Sequence, residues 1–350
     1  MTTPPRYVWQ PSTADIAARA GIEPAEVIRA DQNTSPFTPP WAADVAAAAA
    51  TSVNEYPAAQ YVALRRDLAA YLGTDEGMIV PGAGADELIL IAARALLTPG
   101  SVAVAESPTY AMYRIATLQQ SADYHEVPRG PDDFPADELV SAAGSAAVTW
   151  LCVPHNPLGD RPPDAAIARV IAATRGVTVI DAAYSEFAGD RWGDRISAGS
   201  DVIVLGTLSK AFSLAGARVG YAVAPAELAD TLDRLRPPGS VSSVSAALAQ
   251  RALAEVGWMH EHVALVARLR SRLASGLRDL GLEPRPSTTN FMLAPIGPAA
   301  AGVADRLLGR GIVVRAFRSG HPLADHLRFT VRQDDQQERM LAALDEEMRR

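Results

Sequence analysis

The chain has 350 residues, 48% of them hydrophobic, which is enough for a substantial core and more than one compact lobe. A formal net charge of -8 speaks against a broad basic surface for nucleic acid, while leaving room for a local arginine pocket that takes a small anion. The single cysteine, Cys152, excludes an intrachain disulfide framework and a cysteine-rich metal site, so no metal is expected.

The opening residues MTTPPRYVWQP carry no basic segment followed by an apolar core, so no secretory leader is expected. Ala42–Ala50 is interrupted by Asp44 and too short for a bilayer, and it reads as a helix. Together these features point to a cytoplasmic protein without a membrane partner. A helix is expected over Ala63–Tyr71, where Leu64 and Leu68 stand four apart. Met78–Val80 then reads as a strand, Pro81–Ala85 as a glycine- and alanine-rich turn, and Asp86–Leu97 as an apolar helix closed by Pro99–Gly100. Val102–Val104, Ala147–Val153, Val177–Ile180, Val202–Leu205 and Val219–Ala222 are further strand candidates. Several are continuous apolar runs, as expected of strands covered on both faces. Helical segments at Tyr110–Gln119 and Ala165–Thr174 alternate with them, which predicts an α/β domain built on a mainly parallel sheet.

Pro237–Pro238–Gly239 marks a break. Two helical patterns follow, Val244–Val256 and His262–Leu280, then short strands at Phe291–Leu293, Gly311–Val314 and Leu327–Val331, and a charged helix from Gln333. The expected division is a large domain over 35–238 and a smaller α+β domain from 1–34 and 239–350.

The segment Val202–Phe212 carries the most chemistry. An apolar strand ends in Gly206–Thr207–Leu208–Ser209 and then presents Lys210. Ligands gather at strand ends in open α/β sheets. There Lys210 can form a Schiff base with an aldehyde, while Thr207, Ser209 and Arg218 can hold a phosphate. Asp181 ends the run Val177–Ile180, and a carboxylate there can keep a pyridine nitrogen protonated. Tyr184 and Asn156, the latter in Pro154–His155–Asn156–Pro157, can donate to the phenolate oxygen of such a ring. His155 is not expected to be catalytic. The turn Gly82–Ala83–Gly84 leads into a helix whose first amides, near Ala85 and Asp86, suit a phosphate. It is no dinucleotide fingerprint, because Glu87 stands where the last glycine would be. Tyr110 can stack on a flat heteroaromatic ring.

In this order and spacing, these segments resemble the fold-type I pyridoxal-phosphate aminotransferases, and among them the histidinol-phosphate aminotransferase family, over almost the whole chain. The resemblance implies an α/β fold with a large, mostly parallel-sheet domain and a smaller α+β domain, and pyridoxal 5'-phosphate as cofactor. It implies that Lys210 is the Schiff-base lysine, Asp181 the partner of the ring nitrogen, Tyr184 and Asn156 the groups at the phenolate oxygen, and Tyr110 the stacking aromatic. Ala85, Asp86, Thr207, Ser209 and Arg218 fall in the phosphate cup. Tyr56 matches a tyrosine that reaches the cofactor phosphate of a second subunit, which implies a homodimer. Asn33, Asn290, Arg315 and Arg328 match substrate-binding positions, the two arginines receiving a carboxylate or a phosphate.

Three departures bear on the substrate: the threonine of the usual Asn-Pro-Thr-Gly turn is Leu158, Arg332 replaces a common glycine, and the residues around Asn33 differ. A histidinol-phosphate-type aminotransferase of amino-acid biosynthesis is implied, with glutamate and 2-oxoglutarate as the amino-group pair. The alternatives are an aromatic or other amino-acid aminotransferase, a threonine-phosphate decarboxylase-like enzyme, and a non-catalytic protein that binds the cofactor.

Overall fold

The computed structural model describes residues 5–130, 134–192, 196 and 200–349. Its strands, in chain order, are β1 (Ile28–Ala30), β2 (Ile79–Gly82), β3 (Val102–Ser107), β4 (Asp123–Pro128), β5 (Val148–Cys152), β6 (Val177–Asp181), β7 (Val202–Thr207), β8 (Gly220–Val223), β9 (Phe291–Pro295), β10 (Ile312–Ala316) and β11 (His326–Thr330). Helices α1 (Thr13–Ala20), α2 (Ala42–Ala50), α3 (Val62–Leu72), α4 (Ala85–Leu96), α5 (Ala111–Gln119), α6 (Ala136–Ala143) and α7 (Asp164–Ala173) are joined by a short α8 (Ser185–Ala188). After β8 come α9 (Ala226–Leu235), α10 (Ser243–Ala254), α11 (Val256–Asp279), α12 (Ala300–Leu308) and α13 (Asp334–Met348). Among the described residues, no helix is long and apolar enough to cross a membrane.

The chain divides into two compact units. The larger comprises the chain up to Tyr7, Thr38–Asn156 and Pro162–Glu261. Its seven-stranded sheet has the order β2-β8-β7-β6-β5-β3-β4, with β8 alone running against its neighbours. Alternation along each strand feeds two cores. Ala103, Ala105, Trp150, Val179, Ile203 and Leu205 pack with Leu88, Ile89 and Tyr113 from α4 and α5. Val104, Leu151, Ile180 and Val204 point the other way, onto Leu139 of α6 and Ile167 and Val170 of α7. Both faces are therefore covered, which is why these strands read as unbroken apolar runs. The edge strand β4 is the exception, being largely polar and exposed.

The smaller unit comprises Val8–Phe37, Pro157–Arg161 and the chain from His262 on. Its four-stranded sheet has the order β1-β10-β11-β9, parallel only between β1 and β10. Ile16 and Ala17 of α1 pack with Val27 and Val313 against it. The large and small units match the expected α/β and α+β classes, but their boundaries differ from the proline-glycine break. Residues 239–261 belong to the larger unit because α10 packs on α2 and α3, and the division falls inside α11.

Gly176, just before β6, has no room for a side chain, because a Cβ there would overlap the Ala147 carbonyl. Gly176→Ala should therefore cost about 1–3 kcal/mol of stability. Urea unfolding checks this, and an unchanged midpoint would show that the strand shifts freely.

Candidate active site

The carboxyl ends of β3, β5, β6 and β7 bring together the polar residues of the larger unit. β7 is fully buried through Thr207. Its hydroxyl then contacts Ser209 Oγ at 2.9 Å and the Val219 carbonyl at 3.1 Å, and it accepts the Ser209 amide at 3.2 Å. Arg218 sits in the left-handed region at φ 51°, a conformation that costs a non-glycine residue about 1 kcal/mol or more. From there its guanidinium reaches Ser209 Oγ at 3.5 Å and Asp86 at 3.1 Å.

α4 begins beside it, with Gly84 at φ 84° as N-cap and no side chain capping its first amides. A Cβ on Gly84 would overlap the Arg218 guanidinium, and one on Gly220 would lie 2.7–2.8 Å from Gly84 C and Ala85 N. Small residues are thus needed for the strand, the arginine and the helix start to close in. The result is a cup of Thr207, Ser209, Arg218 and the amides of Ala85 and Asp86, shaped for an anion.

Asp181 ends β6 and is 4% exposed. Its carboxylate accepts the Tyr113 hydroxyl at 2.7 Å and the Ala183 amide at 3.1 Å. Burial pushes the carboxyl up to about 6, against the pull of those two donors, with the Asp86 charge adding to the rise and Lys210 opposing it. β6 and β7 pair in parallel, so Asp181 and the segment carrying Lys210 leave the same end of the sheet. Lys210 Nζ stands 5.8 Å from the centre of the buried Tyr184 ring. Tyr110 donates to Asp86 at 2.8 Å and meets Tyr113 edge-on, with ring centres 5.8 Å apart. Asn156 closes the turn after β5, its amide on Cys152 Sγ at 3.3 Å.

Cys152 is buried, and loss of solvent, with the nearby Asp181 charge, pushes its thiol well up. Of the residues singled out in this unit, Tyr56 alone lies apart. It is 96% exposed, with exposed Val53 close by in sequence.

Two groups were not singled out from sequence. Tyr113 stands three residues after Tyr110 on the apolar face of α5, so it reads as core. It is indeed stacked on Trp150 at 5.4 Å, but its hydroxyl serves Asp181. Burial pushes Glu186, two residues past Tyr184, up to about 7 against a hydrogen bond from Tyr71, and only its closeness to Asp181 hinted at it.

In the smaller unit, Asn33 (φ 54°) donates its amide to Thr330 Oγ1 at 3.0 Å, and its carbonyl accepts Asn290 Nδ2 at 3.0 Å. Both asparagines are buried, and Asn290 Oδ1 meets no donor among the described residues. Arg328 donates to the Asp31 carbonyl at 2.7 Å and lies over the Phe291 ring at 5.1 Å. Arg315 is directly opposite Arg328 in the β10–β11 ladder. Asp31 is held by Arg29 through two hydrogen bonds of 2.8 and 2.9 Å. Arg332 donates to Gln336 at 3.1 Å, and burial pushes it down to about 10 despite Asp31. Leu158, where a threonine is usual, packs with Leu293 and Leu323.

A family model, aminotransferase class I and II, matches residues 23–344. The chain is 35% identical over 321 residues to a histidinol-phosphate aminotransferase of Granulibacter bethesdensis, covering 89% of this chain and 86% of that protein. It is 33% identical over 331 residues to the enzyme of the same name from Methanopyrus kandleri, covering 88% and 85%. Among solved structures, histidinol-phosphate aminotransferase from Sinorhizobium meliloti in complex with pyridoxal-5'-phosphate superposes with a TM-score of 0.90 at 28% identity, over 98% of this chain and 95% of that one.

The raised Asp181 carboxyl has a consequence for stability. Between its ordinary 3.8 and about 6, the folded protein holds a proton that the unfolded chain has released. Stability from this group is therefore full below pH 4 and falls as pH rises through 6. In ligand-free protein, Asp181→Asn should remove that fall, leaving the variant more stable at pH 7.5 by on the order of 2 kcal/mol and equal to wild type near pH 4. Urea titrations at a series of pH values measure the difference. Parallel curves would exonerate Asp181.

Proposed function

Since the chain belongs to the class I and II aminotransferase family, we propose that it is a pyridoxal-phosphate-dependent aminotransferase of the histidinol-phosphate type, moving an amino group between a small amino-phosphate substrate and 2-oxoglutarate, with glutamate as the partner amino acid. The observation that carries this is that buried Asp181 ends β6 while Lys210 follows the end of β7, the neighbouring parallel strand.

The residues present fit the cofactor. A carboxylate this buried, with only neutral hydrogen-bond donors on it, suits a ring nitrogen that brings its own proton and positive charge. The cup of Thr207, Ser209, Arg218 and the start of α4 supplies hydroxyls, a guanidinium and amides, the donor set for a phosphate ester. Tyr110 would cover a ring face, and Tyr184 and Asn156 would donate to its phenolic oxygen. When bound, pyridoxal phosphate supplies an aldehyde that captures the substrate amine and a ring that draws electrons from the substrate Cα.

The chain's own groups do the rest. Asp181, ionised beside a cation, would keep the proton on the ring nitrogen. Lys210 Nζ would be the base that takes the substrate Cα proton and returns it to the cofactor's former aldehyde carbon, across the substrate nitrogen. Arg315 and Arg328 would receive the distal anionic group of the substrate. Buried Asn33 and Asn290 meet beside Thr330 at the far end of β11, with Asn290 Oδ1 open to a donor. A second copy of the chain would cover the exposed Tyr56 and Val53 and take Tyr56 toward its own cofactor phosphate, so the working form is a homodimer.

Borohydride reduction of the loaded enzyme followed by peptide mapping should fix the cofactor on Lys210. Lys210→Ala should lower kcat by about a thousandfold. A panel of amino donors, followed by the appearance of glutamate from 2-oxoglutarate, tests the substrate. Histidinol phosphate should be turned over best. Turnover of aromatic amino acids alone, or release of carbon dioxide in place of a keto product, would replace this assignment.

A further inference from the structure

Residues 31–37 leave β1 and belong to no helix or strand, so their main-chain groups need partners from elsewhere. Side chains supply them. Arg328, Thr330 and Arg332 stand two residues apart on and just past β11, a spacing that sends them to one face. Arg328 donates to the Asp31 carbonyl at 2.7 Å, Thr330 Oγ1 accepts the Asn33 amide at 3.0 Å, and Arg332 Nη1 donates to the Thr34 carbonyl at 3.4 Å. Asp31, Asn33 and Thr34 thus step along β11 in its own direction, held by side chains where a strand would use a ladder. Further on, Ser35 Oγ meets His262 Nε2 at 2.9 Å, and Gln333 Nε2 donates to the Pro36 carbonyl at 3.0 Å.

Asn33 sits at φ 54°, a left-handed conformation that persists in a non-glycine residue only where its neighbours over-determine it. Arg328 and Arg332 bracket it, one on a carbonyl before it and one on the carbonyl after it. Arg332 is itself fixed from below by α13. Its amide donates to Gln337 Oε1 at 3.4 Å and its Nε to Gln336 Oε1 at 3.1 Å. Among the described residues no carboxylate pairs with this guanidinium. Its value is therefore geometric: one planar fork spans Gln336 and the Thr34 carbonyl. Two of the three departures from the family pattern, Arg332 and the residues around Asn33, are thus in direct contact.

We propose that Arg332 is a positioning residue for substrate binding. By holding the Thr34 carbonyl it keeps Asn33 in its left-handed conformation, without touching the substrate itself. This rests on the reading of Asn33 and Asn290 as substrate-binding residues given above. Asn290 Nδ2 is tied to the Asn33 carbonyl, so release of Thr34 would also turn Asn290, whose Oδ1 meets no donor among the described residues.

Arg332→Met keeps the apolar stem and removes the fork, while Arg332→Lys restores one donor. In the loaded enzyme, with the best amino donor of the panel, Arg332→Met should raise KM about tenfold with kcat almost unchanged, and Arg332→Lys should recover most of that loss. An unchanged KM in Arg332→Met, even with a lower urea midpoint, would reduce Arg332 to a joint between β11 and α13 and overturn the proposal. A second measurement needs no turnover. Hydrogen exchange of peptides covering residues 31–37, followed by mass spectrometry without substrate, should be about tenfold faster in Arg332→Met, with β6 and β7 unaffected. Exchange equal to wild type, or faster across the whole chain, would refute the tether. If no donor is turned over and exchange still rises at residues 31–37 alone, Arg332 keeps its hold on Asn33 and the aminotransferase reading falls.

Discussion

A carboxylate held at the centre of an apolar sheet end is the constraint on which the larger unit turns. Desolvation of a buried ion costs several kcal/mol, and each hydrogen bond to a charged group returns roughly 1.5–3 kcal/mol. Tyr113 and Ala183 supply two such bonds to Asp181, and the balance still favours the proton, since the carboxyl rises to about 6. The site is therefore built short of one positive charge. The rest of the strand-end layer follows from this shortage. Trp150 fixes Tyr113 so that its hydroxyl cannot wander, the turn after Asp181 gives up an amide, and Lys210 stands near enough to favour the ionised form.

Each unit holds its own set of polar residues. In the larger unit, Asp181, Thr207 and Lys210 stand at or just past the ends of strands packed on both faces. In the smaller unit, β10 and β11 set Arg315 and Arg328 side by side. The departures from the family pattern fall in this second group. Leu158 packs under the β10–β11 connection and Arg332 donates to Gln336, so both residues have structural partners.

Much of the larger unit was legible because burial on both faces writes a continuous apolar run, and a polar residue at the end of such a run announces itself. Asp181 after Val177–Ile180 and Lys210 after Val202–Leu205 are of this kind. The edge strand β4 was not legible, since Asp123, His125 and Glu126 face solvent and leave no periodic signal. Tyr113 was missed because an aromatic ring on the buried face of α5 satisfies a packing pattern whatever its hydroxyl does. The domain boundary failed for a related reason. A proline-glycine break marks the end of a helix, whereas the seat of α10 on α2 and α3 is a long-range contact that no local pattern records. Arg218 was visible as a charge, but not the left-handed backbone that aims it.

The lone thiol offers a use beyond the chemistry. Cys152 closes β5 in the middle of the large sheet, is almost wholly out of solvent, and is held protonated by its surroundings. A thiol in that condition is inert to alkylating reagents until the sheet opens around it. Because the sequence contains no second cysteine, the rate at which reagent is consumed becomes a clock for rare excursions of the central strands, read without any added label.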